Sequence, residues 1–244
     1  MSSSGMVVPC PECGVGNAAD HNYCKHCGLA LRVGPSDREL SASPAERMCE
    51  RYRALVEAYP DNATAHFNLG SAYYHLGQVG NAVRAFQRAI QLDDDMPAAH
   101  FQLALCHYRR GAMAECVGES RRAIALNPFS APAHFRLAIA LFHLGRLEEA
   151  AHAFESTLGA DPEYVIAWYH LGIIRERQDD YGTAIACFEH VVEANPDDAS
   201  AHYHLGINYE RHGLESLAMS ALTRALQLDP SDEAAASALQ ELQR

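Results

Sequence analysis

Two Cys-x-x-Cys pairs, Cys10-Pro-Glu-Cys13 and Cys24-Lys-His-Cys27, stand ten residues apart near the start of the chain, each followed by a glycine (Gly14, Gly28). Each pair suits a tight turn that aims two thiolates at one metal ion, and two such turns complete a tetrahedron. The glycine lets the backbone fold back at positive φ without steric cost. The spacing therefore predicts one structural Zn2+ held by Cys10, Cys13, Cys24 and Cys27. So short a segment has almost no apolar core, and metal binding would supply its folding energy. A pair of redox dithiols is the competing reading. The other cysteines, Cys49, Cys106, Cys116 and Cys187, lie far apart and read as reduced, buried packing residues of a reducing compartment.

Histidine is the second residue type that recurs in a pattern. Five consecutive windows of 34 residues begin at Ala63, Pro97, Ala131, Val165 and Ala199, with no insertion between them. The fourth residue of each is His66, His100, His134, Trp168 or His202. A metal site or proton relay is the tempting reading, but these side chains recur one per unit, about one repeat spacing apart. Ligand distances of ~2 Å forbid shared coordination across such a gap. They are expected to be satisfied, partly buried side chains.

The same period dictates the elements that carry these residues. The seventh residue is always leucine (Leu69, Leu103, Leu137, Leu171, Leu205) and the eighth is always small (Gly70, Ala104, Ala138, Gly172, Gly206). Small residues there let helix backbones approach closely. In the first window, 65–76 and 79–92 are rich in helix formers, with Gly77 at the turn between them. Gly111, Gly145, Asp179 and Gly213 hold the equivalent turn position, and Pro128, Pro162, Pro196 and Pro230 stop the second helices. A fixed period replaces one globular core by a stacked array, and points to binding rather than catalysis. The chain then reads as a polar tail (1–8), a cysteine module (9–31), a linker (32–43) and a capping helix (44–60) with Met48, Tyr52 and Leu55 on one face. Full repeats follow at 63–96, 97–130, 131–164, 165–198 and 199–232, and a second capping helix at 233–244.

The repeated pattern resembles the tetratricopeptide repeat. The last repeat carries it as Leu205-Gly206-x-x-Tyr209, then Ala218, Leu222, Ala225 and Pro230; the first as Leu69-Gly70-x-x-Tyr73, Ala82, Phe86 and Ala89. The second repeat departs most, with His107, Cys116 and Ser120 in place of Tyr, Ala and Phe. The cysteine module is similar to a small zinc ribbon of the form CPxCG…CxxCG. These resemblances imply an all-α fold, a right-handed α-solenoid of antiparallel helix pairs, preceded by a small zinc-ribbon module.

In tetratricopeptide arrays the first helices line a concave groove whose ligands contact mainly repeat positions 2, 5, 9, 12 and 13. By that resemblance, position 5 places Phe67, Phe101, Phe135, Tyr169 and Tyr203 in the groove. Position 9 adds Ser71, Leu105, Ile139, Ile173 and Ile207, and position 12 adds Tyr74, Tyr108, Phe142, Glu176 and Glu210. Spacing of i, i+4 and i+7 puts them on one helix face. The plainer reading is that positions 5 and 12 pack between adjacent first helices. The stripe grades from apolar to acidic-edged, which suits an amphipathic helix or extended peptide with apolar anchors and some basic residues. His170 and His204, at position 6, stand closer to the groove with no carboxylate partner assignable from sequence. The Lys and Asn set with which some family members clamp a terminal carboxylate is missing, so the tails of the large cytosolic chaperones are not expected ligands.

A formal charge of -12 disfavours nonspecific attraction to nucleic acid or an anionic membrane. In residues 1–34 Glu12 and Asp20 balance Lys25 and Arg32, and Tyr23 is the one aromatic residue, so neither a basic stripe nor a stacking platform is present. No apolar stretch approaches the ~20 residues that span a bilayer, and the first residues lack the pattern of a secretory signal, which makes the cytoplasm the expected compartment. No Gly-rich phosphate loop, Ser-His-Asp arrangement or open-site metal motif is found. The expectation is a non-enzymatic adaptor that binds a peptide or helix of a partner protein in the concave groove, with the zinc ribbon as a second docking element; the alternatives are a spacer or regulatory subunit of a larger complex and, behind it, a zinc-ribbon protein associated with nucleic acid.

Overall fold

The computed structural model describes residues 43–244 together with two short strands, β1 (Val7–Pro9) and β2 (Gly16–Ala18). The chain divides into two compact units, 1–51 and 52–244. In the first unit β1 and β2 pair antiparallel, with Val7 opposite Ala18 and Pro9 opposite Gly16. The expected polar tail (1–8) thus ends inside a strand, because the β-branched pair Val7-Val8 favours extended backbone. Cys10, Cys13, Cys24 and Cys27, and the expected linker apart from Ser43, lie outside the described residues.

Twelve helices follow among the described residues. The first, α1 (Pro44–Ala58), buries Cys49 and half-buries Tyr52, Leu55 and Val56, so Tyr52 and Leu55 of the expected face are covered, whereas Met48 is 38% exposed. The five repeats then supply ten helices. They pair as α2 (Ala63–His75) with α3 (Val79–Leu92), α4 (Pro97–Arg109) with α5 (Met113–Leu126), and α6 (Ala131–His143) with α7 (Leu147–Ala160). The last two pairs are α8 (Val165–Arg177) with α9 (Tyr181–Ala194), and α10 (Ala199–Arg211) with α11 (Glu215–Leu228). A final helix, α12 (Glu233–Leu242), packs on α11. Each second helix also packs on the first helix of the next repeat, which makes residues 63–242 an uninterrupted solenoid.

Local chemistry starts and stops these helices. Asn62, Ser130, Asp198 and Asp232 each turn a side-chain oxygen onto a free N–H of the first turn. Every first helix ends in the same reversal: Gly77, Gly111, Gly145 and Gly213 lie at φ of 72°, 73°, 73° and 81°, and Asp179 at 58°. The two backbone bonds of a Schellman motif accompany each, as in Gln78 N–H to Tyr73 O and Gly77 N–H to Tyr74 O.

The core is a column of close approaches between position 8 and position 24. Phe86, Phe154, Phe188 and Leu222 occupy position 24 and are wholly buried. A Cβ added to Gly70 would lie 2.7 Å from Phe86, one at Gly172 2.8 Å from Phe188, and one at Gly206 2.5 Å from Leu222. The second repeat, the most divergent in sequence, pairs Ala104 with Ser120 instead, and both are wholly buried with Cys116. The third repeat keeps an alanine at position 8, Ala138, with Phe154 at position 24, and both are wholly buried.

Candidate partner-binding face

The first helices α2, α4, α6, α8 and α10 form one face of the array, and the fifteen expected groove residues all lie on them. Fourteen are half-buried; Ile139 is 6% exposed, belongs to the core and offers little to a ligand. Position 5 is largely engaged in packing. Phe67, Phe135 and Tyr169 rest against the position-24 rings Phe86, Phe154 and Phe188 at 5.7, 5.9 and 5.7 Å between centroids. Phe101, whose repeat has Ser120 at that place, and Tyr203, whose repeat has Leu222, have no position-24 ring to rest on. For three of the five, then, the plainer reading of position 5 is the better one.

Position 12 behaves differently, because each of its aromatic rings meets an arginine from the next repeat. The guanidinium of Arg109 lies 4.6 Å from the Tyr74 ring centroid, Arg136 4.5 Å from Tyr108, and Arg177 5.2 Å from Phe142. Stacking of this kind suits a planar, weakly hydrated cation on a ring face. Tyr108 also meets His143, its hydroxyl 3.3 Å from Nε2. The sequence reading missed these cations, although the signal was present: position 13 reads His75, Arg109, His143, Arg177 and Arg211. Tabulating that column beside the aromatic ones would have found it.

The histidines of position 4 have a structural task. His66, His134 and His202 each bring Nε2 within 2.9–3.0 Å of a proline carbonyl six residues earlier (Pro60, Pro128, Pro196). Trp168 donates its indole N–H to Pro162 O in the same way, at 3.0 Å. The shared geometry assigns the Nε2–H tautomer to the histidines and ties each first helix to the loop before it. His100 follows Asp94 rather than a proline, and pairs instead with Glu119 at 2.7 Å and Asp94 at 3.4 Å.

Position 6 supplies two more stacked rings. His170 lies parallel to Phe154 at 5.4 Å and His204 parallel to Phe188 at 5.0 Å. His204 does have a carboxylate partner: its Nδ1 is 2.9 Å from Glu176 Oε2, which also accepts from Asn208 Nδ2 at 2.7 Å. Burial alone would push the Glu176 carboxyl up, but the bonds from His204 and Asn208 and the charge of Arg177 outweigh it and hold the group below its usual range. Glu176 is thus engaged within the protein, and Glu210 is left as the open acid of the face.

His170 is held below the usual imidazole range, first by burial and then by the neighbouring His143. Its pKa is therefore lower folded than unfolded, where it titrates near 6.5. As pH falls below that value the unfolded chain takes up a proton that the folded chain refuses, so stability declines. A His170→Phe chain, which keeps a ring on Phe154, should lose less stability between about pH 7.5 and about pH 5.5 than wild type. Urea midpoints at the two pH values measure this, and an equal loss in both chains refutes the assignment.

Burial pushes the Cys106 thiol up to about 11 and Cys187 to about 12, and raises Cys116 as well, so these cysteines stay protonated packing residues. Among the described residues no group of three or more His, Cys, Asp or Glu is arranged to hold a metal ion. None of their helices is long and apolar enough to cross a membrane. A depression of about 710 Å3 is lined by Leu217, Arg224, Leu239 and Gln243 beside α12 and includes none of the fifteen groove residues.

An unbroken stack of antiparallel helix pairs, with one face of partly exposed rings and cations, defines an α-solenoid scaffold. The sequence matches the family model described as tetratricopeptide repeat over residues 50–97, 146–186 and 169–233, more than half of its length. The chain belongs to the tetratricopeptide repeat family. A second family model, described as anaphase-promoting complex, cyclosome, subunit 3, matches residues 78–157.

Solved structures of similar fold include YrrB, described as a TPR protein with an unusual peptide-binding site. It shares 17% identity and a TM-score of 0.73, covering 79% of this chain and 99% of that one. A MamA structure shares 21% identity and a TM-score of 0.65 (69% and 92% covered), and MamA 41-end from Desulfovibrio magneticus RS-1 shares 20% and 0.63 (70% and 97%). At these identities the likeness is one of fold. No curated protein sequence matches the chain.

Proposed function

We propose that the protein is a non-enzymatic adaptor that holds a peptide or helix of a partner protein in the groove of its first helices. The observation that carries this reading is the continuity of the face: fourteen half-buried residues on five adjacent helices, with ring and arginine contacts linking consecutive repeats. Such an apolar, partly wetted stripe exceeds what stacking requires. Leu105, Phe101 and Ile207 supply apolar anchors, and Glu210 supplies a seat for a basic ligand residue at the C-terminal end.

A zinc ribbon built on Cys10, Cys13, Cys24 and Cys27 forms a second docking element in this reading. Support comes from the donor set, four thiolates at the spacing of a structural Zn2+ site. It comes also from the β1–β2 pair, whose connecting residues 10–15 include Cys10 and Cys13.

Selection from a displayed peptide library on the immobilised full chain tests the groove. The Phe101→Ala/Leu105→Ala chain removes two anchors that support no core ring, and should keep its helicity while losing the selected peptides about tenfold or more. Equal retention by the two chains would leave a structural spacer as the better description.

A further inference from the structure

The charge on the first-helix face runs against that of the chain. The protein carries a formal charge of -12, yet α2, α4 and α6 contain no Asp or Glu. Several of its arginines sit at ion-pair distance from a carboxylate: Arg88 with Asp61, Arg121 and Arg146 with Glu149, Arg122 with Asp94, Arg175 with Glu155, Arg224 with Asp197. Arg109, Arg136 and Arg177 have no carboxylate at ion-pair distance among the described residues; each lies on an aromatic ring instead. Arg109 and Arg177 are exposed, and the buried Nε of Arg136 has no acceptor. Three such arginines thus stand one per repeat along the second, third and fourth first helices, each over a ring, and Arg177 also lends its charge to Glu176 on its own helix.

We infer that this part of the groove receives an acidic, extended peptide, with its carboxylates on Arg109, Arg136 and Arg177 and small aliphatic side chains between them. The inference rests on the groove reading above and specifies its ligand. Neighbouring helices pack about 8–10 Å apart, and a chain extended as polyproline II rises about 3.1 Å per residue with three residues per turn, so an acid at every third residue stays on one face and meets successive arginines. A guanidinium over a ring still presents N–H groups to a carboxylate. The same arrangement disfavours nucleic acid, since the ring faces that bases would stack on are covered. The acids are internal side chains, which distinguishes this site from a clamp on a terminal carboxylate. Glu210 orients the peptide, with its acidic run over the second to fourth repeats and any basic residue over the fifth.

The test uses the full chain and three fluorescein-labelled, end-capped peptides of about five triplets, Glu-Leu-Ser, Gln-Leu-Ser and Lys-Leu-Ser. The Glu peptide should bind about tenfold more tightly than the Gln peptide, the Lys peptide more weakly still, and added salt should narrow the difference. In the Arg109→Glu/Arg177→Glu chain, with circular dichroism unchanged, the order should reverse. Equal affinity for the Glu and Gln peptides, lost in the Phe101→Ala/Leu105→Ala chain, overturns the acidic ligand and leaves the groove reading intact. Binding of none of the three overturns both. Tighter binding of an oligothymidylate than of the Glu peptide, abolished by the double charge reversal, overturns the proposal in favour of nucleic acid.

Discussion

Replacing Phe154 by alanine lowers the unfolding free energy by about 3–5 kcal/mol, the usual cost of emptying a buried aromatic site. Phe154 is wholly buried in the central repeat, with Phe135 of its own repeat on one side and His170 of the next stacked on it. The substitution therefore removes contacts within one unit and across one interface. A solenoid is stabilised by intrinsic repeat terms and nearest-neighbour terms, so damage at its middle also divides it. The urea transition should move to lower denaturant and become shallower as the two flanking halves unfold separately. Phe101→Ala, at a half-buried side chain with no ring partner, serves as the comparison and should cost much less. A shift below about 1 kcal/mol for Phe154→Ala would show that the interfaces do not depend on this column.

The second large effect concerns the metal. The full chain should carry one zinc per molecule by elemental analysis, and Cys13→Ser or Cys24→Ser should abolish it, because a structural site closes only with all four ligands. Apparent binding energies for such sites are about 10–16 kcal/mol at neutral pH, so the contrast is between a retained and an absent ion. Chelation should leave the far-ultraviolet signal of the helices and their thermal midpoint unchanged, since the described residues hold no metal cluster of their own. Zinc-free protein with all four thiols reduced would remove the ribbon from the proposal. Melting of the helices on chelation would show that the module supports the array.

The repeats were readable because their cause is local. A 34-residue period, a glycine after four of the five first helices and a stop proline in four of the five repeats are features of single segments, and the left-handed turn residues occur at those glycines and at Asp179. What was not readable depends on neighbouring units. Position 5 looked like a ligand stripe, but Phe67, Phe135 and Tyr169 lean on core rings whose nearness only the folded pair creates. His204 appeared to lack a carboxylate because its partner, Glu176, belongs to the preceding repeat. The arginine on each position-12 ring also comes from the following unit, at position 13 in two cases and position 6 in the third. Reading one window at a time conceals every pair divided between two windows.

That division has a consequence for how the gene can change. Excision of one whole unit leaves the helical register intact, and the array closes up on the same kind of interface. The proposed recognition face does not survive unaltered, because the ring at the seam loses its own cation and faces the next helix instead. Removing 131–164 would face Tyr108 with the first helix that carries His170 and Arg177 in place of the one carrying Arg136 and His143. Gain or loss of a single copy thus rewrites the spacing of charges at its seam while the backbone scarcely notices. Unequal recombination in such a gene is a route to a new specificity at almost constant foldability.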